Sequence, residues 1–212
     1  MRDPTQTAIR LIARDRAARL SLVDIGRESG YSHALPNFYF KNKRPLLLEV
    51  YAHIVNSAKA NIARWARDNA QGGVTPGLQN VFATIRGYLN LAVEDPMSTR
   101  APHKLRFESV SSMPQLLEAV QPWSRRFVSF FERQLESAIQ RGEVAALADV
   151  TLTTQMIISM LSGAVAQWLV DPEQLTPRAR GESMIRMLPG SIGRAGATHP
   201  AHPAPVTTPP PH

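Results

Sequence analysis

From residue 42 to about residue 188, apolar side chains recur every three to four positions, a period that suits helices and no other element. After Asn42 they fall at Leu46, Leu47, Val50, Ile54, Ala58, Ile62 and Trp65. They resume at Leu78, Val81, Phe82, Ile85, Leu89 and Val93, and again at Leu116, Val120, Phe127, Phe130, Phe131, Leu135 and Ile139. Residues 149–170 are apolar on nearly every side, so a helix there must be buried or lie at an interface. There is no alternating strand pattern of useful length and no internal repeat. The fold class that follows is all-α. Gln71 to Gly77 reads as a loop and Glu94-Asp95-Pro96 as a helix end. A shorter helix is expected over about 100–111, a long one over about 114–141 with a possible bend at Pro122, and a last one over about 176–188. Residues 189–212 hold seven Pro and almost no large apolar side chain, so they are expected to be a disordered tail.

Composition narrows the functions open to such a chain. Hydrophobic residues make up 43% and charged ones 19% of 212 residues, an ordinary globular balance. The net charge of +7 suits a polyanionic partner such as nucleic acid. Cysteine is absent, which removes disulfides, thiolate nucleophiles and cysteine-ligated metals. No window approaches ~20 uninterrupted apolar residues. There is no secretory leader pattern either, so a cytoplasmic location is expected. His53 and His103 stand apart, and His199, His202 and His212 fall in the tail. With no metal-ligand spacing, no Gly-x-Ser-x-Gly and no phosphate-cradling glycine loop, an enzyme is not expected, nor any cofactor or metal.

The first 50 residues differ in character. They carry nine Lys/Arg against five Asp/Glu. Asp3-Pro4 is a helix start, followed by Ala8, Leu11, Ile12 and Ala18 on one face. Ser21-Leu22-Val23-Asp24 has the shape of a capping box, with Leu22 and Ile25 directed inward and Gly30 closing a short helix. Ser32 begins a third short helix to about Phe38, and Asn42 a long fourth one. Three short helices with a glycine at the second junction make a helix-turn-helix pattern.

The stretch from Leu11 to Leu47, about a sixth of the chain, resembles the TetR family of bacterial transcriptional regulators. Leu11-Ile12, Ser21-Leu22, Asp24-Ile25, the turn Ser29-Gly30-Tyr31-Ser32, the segment His33-Ala34-Leu35-Pro36-Asn37-Phe38-Tyr39-Phe40, and Lys41-Asn42-Lys43-Arg44 before Leu46-Leu47 all stand where that family places similar residues. Arg16, Leu20, Gly26 and Pro36 depart from the family's usual Gly, Thr, Ala and Leu. The resemblance implies a DNA-binding domain over 1–50, an effector-binding and dimerisation domain over 51–188, and double-stranded operator DNA as partner.

Within that frame a helix over 32–39 enters the major groove. His33, Ala34, Leu35 and Asn37 then face base edges, with Asn37 able to pair with adenine through two hydrogen bonds. Phe38, Tyr39 and Lys43 meet the sugar-phosphate backbone, while Ser21 and Ser32 are helix caps that also suit phosphate. The middle helices are expected to enclose a pocket for a bulky, mostly apolar small molecule, lined by Phe82, Ile85, Tyr88, Phe107, Met113, Trp123, Phe127, Phe131 and Met156. A homodimer is expected through Leu152, Met156, Met160, Gly163, Ala164, Gln167 and Trp168, which makes the operator palindromic. The function this implies is a repressor released by its ligand. The alternative is a helical scaffold or hydrophobe-binding protein without DNA binding. No membrane partner is expected.

Overall fold

A computed structural model describes residues 4–14, 21–30, 43–69, 74–144, 149–173 and 176–192. Among them are eight α-helices and no strand, so the architecture is all-α as the periodicity implies. They are α1 (Pro4–Arg14), α2 (Leu22–Ser29), α3 (Lys43–Asn69), α4 (Leu78–Glu94), α5 (Pro96–Ser109), α6 (Leu117–Gln140), α7 (Val150–Val170) and α8 (Pro177–Ile192). No described helix is long and apolar enough to cross a membrane.

The local signals act where the sequence puts them. Ser21 Oγ accepts from Asp24 N at 3.1 Å, and Asp24 Oδ2 accepts from Ser21 N at 3.3 Å, a reciprocal capping box at the start of α2. The Ser21 hydrogen bonds, ahead of the nearby Arg27 charge, hold the Asp24 carboxyl below its ordinary pKa. Gly30 ends α2 with φ 77°, a left-handed conformation that side chains resist and glycine adopts freely.

Two boundaries differ from the sequence expectation. The helix expected from about residue 100 begins at Pro96, because the Asp95 side chain accepts from Ser98 N at 3.0 Å and Pro96 occupies the first turn. Asp95 therefore ends one helix and caps the next. The helix expected from residue 114 opens with a short 3₁₀ turn, Pro114–Leu116, and becomes α-helical at Leu117, with Pro122 inside its second turn. At the C-terminal end the α8 backbone stays helical to Ile192, past the expected boundary at 188.

Two cores organise the helices. The first buries Ala8, Leu11 and Ile12 of α1, Ile25 of α2, and Leu46, Leu47, Val50 and Ile54 of α3 against Ala101 and Leu105 of α5, with Met113, Leu116 and Val120 beyond. α1 and α2 therefore pack onto the body through α3 and α5. The second core gathers Val81, Ile85 and Leu89 of α4, Phe131 and Leu135 of α6, Ile157, Leu161 and Val165 of α7, and Met184, Ile185 and Leu188 of α8. α3 crosses α4 closely at Gly87. A Cβ there would meet the Ile62 carbonyl oxygen at 3.2 Å and the Trp65 ring at 3.3 Å, so a larger residue would push the two helices apart.

Candidate functional site

Between α3, α4, α5 and α6 the two cores leave a cavity of about 1000 Å³. That is the upper end of the range typical of small-molecule sites. Tyr51, Ile54 and Ile62 of α3, Tyr88 of α4, Phe127 of α6 and Ile158 of α7 supply apolar wall. The ring of Tyr88 lies 6.1 Å from that of Phe127, and Phe127 stands edge-on to Phe131 at 5.1 Å.

The polar lining includes a hydrogen-bonded pair of neutral groups. Tyr88 Oη and His103 Nε2 share a hydrogen bond of 3.2 Å. Burial pushes the Tyr88 hydroxyl up to about 12. Burial, reinforced by the Arg106 guanidinium, pulls the His103 imidazole down to about 4. At neutral pH the pair can orient a ligand by hydrogen bonding without bringing charge into the cavity.

The expected lining residues separate into three groups. Tyr88, Trp123 and Phe127 do line the cavity. Ile85 and Phe131 are fully buried in the second core, Phe82 packs half-buried on the same core, and Met113 is buried in the first core, so these four face protein and not the cavity. Phe107 is 65% exposed near the C-terminal end of α5, and Met156 is 58% exposed on the outer side of α7. A 3.6-residue stripe reports that a face is apolar and leaves open whether it meets protein, a ligand or solvent. Sequence reasoning missed Tyr51, Ile54, Ile62 and His103, and it missed a rim of cations from α3, α5 and α6. Their signal was a polar flank beside an apolar stripe, which a solvated helix surface also shows.

Leu152 and Met156 on α7 and Met187 on α8 are exposed apolar side chains, and Gln167 is exposed on α7. Gly163 has open space around its Cα. Ala164 is the correction in this group. It is buried in the chain's own second core, while Met160 and Trp168 lie half-buried against that core.

Of the residues expected to meet DNA, Ser32, His33, Ala34, Leu35, Asn37, Phe38 and Tyr39 lie outside the described residues, as does the side chain of Lys43. Ser21 is described, and it caps α2. α5 joins this end of the molecule to the cavity. Pro102, His103 and Arg106 line the cavity, and between them Lys104 Nζ donates to the Ala13 carbonyl near the end of α1 at 2.7 Å. A second tie runs from α3, where His53 Nε2 lies 3.2 Å from Gln6 Nε2 of α1.

No family model matches the chain. The fatty acid metabolism regulator protein of Bacillus subtilis (strain 168) is 20% identical to it over 187 residues, 87% of this chain and 91% of that one. A TetR-family transcriptional regulator from a Rhodococcus species, known from its crystal structure, superposes with a TM-score of 0.73 at 16% identity, over 90% of this chain and 96% of that one. The transcriptional regulator FadR from Bacillus subtilis, solved in complex with stearoyl-CoA, superposes with a TM-score of 0.72 at 18% identity, over 90% and 98%. Superposition over 90% of the chain shows that it has the fold of the TetR family of regulators.

Proposed function

We propose that the chain is a homodimeric transcriptional regulator that represses from a roughly palindromic operator and leaves it when a bulky, mostly apolar molecule occupies the cavity. The observation that carries this reading is the double attachment of α5. One side lines a cavity large enough for such a molecule, and the Lys104–Ala13 bond ties the same helix to the helix-turn-helix end. A ligand that fits a conformation with badly spaced reading heads draws the dimer from its DNA-competent state. That a fold relative was solved with stearoyl-CoA supports a small-molecule effector. The exposed Leu152, Met156 and Met187 suit burial against a second copy. On this reading residues 1–50 read DNA, the protein works in the cytoplasm, and it performs no catalysis.

The test is selection of duplexes from a random pool with purified protein. A recovered palindrome is the expected result, with an affinity that falls steeply as salt rises because phosphate contacts release counterions. Replacing Asn37 by Ala is expected to relax one base position at a cost of about 1–3 kcal/mol. Lys43→Ala should weaken all duplexes alike and flatten the salt response. Duplex binding absent at every salt concentration, with hydrophobic dyes still taken up, would favour the alternative of a hydrophobe-binding helical protein, which the cavity by itself would serve.

Lys104→Met keeps most of the stem and removes the ammonium. We expect it to cost about 1.5–3 kcal/mol of stability and to speed amide exchange in α1. It should also shrink the effect of any effector on duplex affinity. Exchange in α1 unchanged from the parent would show that the bond does not couple the two ends.

A further inference from the structure

The cavity rim carries Lys59 and Arg67 on α3, Arg106 on α5, and Arg125, Arg126 and Arg133 on α6, and among the described residues no Asp or Glu lines the cavity. All six are exposed. Among the described residues none of them has a carboxylate partner. Several arginines away from the cavity do pair with carboxylates, as in Arg86–Glu182, Arg141–Glu143 and Arg178–Glu94. One-signed charge around a low-dielectric cleft concentrates the opposite charge there. Only one rim cation is engaged by a described side chain, with the Arg126 guanidinium 5.0 Å over the Trp123 ring.

Spacing defines the occupant further. Arg126 and Arg133 are seven residues apart and share one face of α6, about 10 Å apart along the axis. Lys59 and Arg67 span about 12 Å of α3 on the other side of the cavity. A single carboxylate would meet one or two of these cations. Engaging both edges takes a head that is extended and carries several charges. The wall below is apolar and ends at the uncharged Tyr88–His103 pair, which suits a tail and gives a second charge no partner.

We infer that the cavity takes a soluble anionic amphiphile, an apolar tail joined to a head with two or more phosphate-type charges. The tail lies among Tyr51, Ile62 and Phe127, and the head lies across Arg126, Arg133 and the α3 cations. This deepens the effector reading and rests on the cavity being the effector site. It sets the protein apart from one that recognises cationic or neutral hydrophobes.

Calorimetric titration of the full chain with dodecyl diphosphate, dodecyl phosphate, dodecanol and dodecyltrimethylammonium, all as monomers, tests it. The diphosphate is expected to bind about tenfold more tightly than the monophosphate, since charge-assisted contacts are the strong ones. The alcohol and the ammonium should be weaker still, and only the phosphates should lose affinity as salt rises. The pair Arg126→Glu and Arg133→Glu should abolish the advantage of the diphosphate and leave dodecanol binding unchanged. If that pair fails to fold, Arg126→Gln with Arg133→Gln reads the same quantity. Dodecanol or the ammonium binding as tightly as the diphosphate would overturn the inference. So would a ranking unmoved by the glutamine pair, or capture by phosphatidylglycerol vesicles without binding of monomeric diphosphate. Duplex binding measured on the same samples without amphiphile keeps the two ideas apart. Its absence removes the regulator reading and leaves the ranking standing, whereas duplex binding with no preference for the diphosphate removes only this inference.

Discussion

Phe131→Ala is expected to lower the unfolding free energy by about 3–5 kcal/mol, the range for deleting a large buried aromatic. Phe131 has no solvent-exposed surface and sits in the second core. It meets Phe127 edge-on at 5.1 Å and Phe130 at 5.4 Å, pairs that add to the area it buries. Phe127 and Phe130 both reach the cavity, so the void left by Phe131 lies directly behind the cavity wall. Urea unfolding monitored by circular dichroism checks it. The midpoint should fall with the slope unchanged. Phe127→Ala should cost less, because its ring already borders open space. A loss below about 1 kcal/mol for Phe131→Ala would mean that the site collapses or is not close-packed.

Acid should destabilise the folded chain in two separate steps, the first set by His103. Above pH 6.5 the imidazole is neutral in both folded and unfolded states, and the full benefit of burying it neutral is present. As pH falls from 6.5 towards the folded value of about 4, the unfolded chain takes up a proton that the folded chain refuses. Stability therefore declines across that window, by about 3 kcal/mol if the whole shift is realised. Below about 4 both states hold the proton and this contribution stops changing. The carboxylates act lower on the pH axis. The hydrogen bond from Arg141 lowers the Glu143 pKa, that from Arg86 lowers the Glu182 pKa, and that from Ser21 lowers the Asp24 pKa. Their stabilisation is present above the ordinary carboxylate value and lost as pH falls through the lowered ones. Melting temperatures of the parent and His103→Gln between pH 7 and 4.5 separate the two effects. The decline over that interval should be present in the parent and nearly gone in the variant. Parallel curves would show that His103 is not the group responsible.

The sequence by itself determined what depends on neighbours along the chain. A 3.6-residue apolar period needs no partner to be recognised, and it placed α3, α4 and α6. The Ser21–Asp24 box and Gly30 are legible for the same reason, since a cap is made within one turn and a left-handed residue is demanded by its own backbone. Asp95 shows the limit of such signals. It reads as a terminator, yet its side chain also caps the helix that starts at Pro96, a second role for one residue that a helix-end signal hides.

Tertiary structure decided which apolar faces meet protein and which meet empty space. Ile85 and Tyr88 are three residues apart on α4, yet one is core and the other cavity wall, because α8 comes close to the first at Gly181 while the second borders the cleft between α3 and α6. It also decided where charge collects. Lys59 and Arg133 are 74 residues apart and look like ordinary solvated positions on their own helices. Only the crossing of α3 and α6 around one cleft brings them to a common rim, since helix periodicity fixes the face a residue occupies and not what that face will find opposite it.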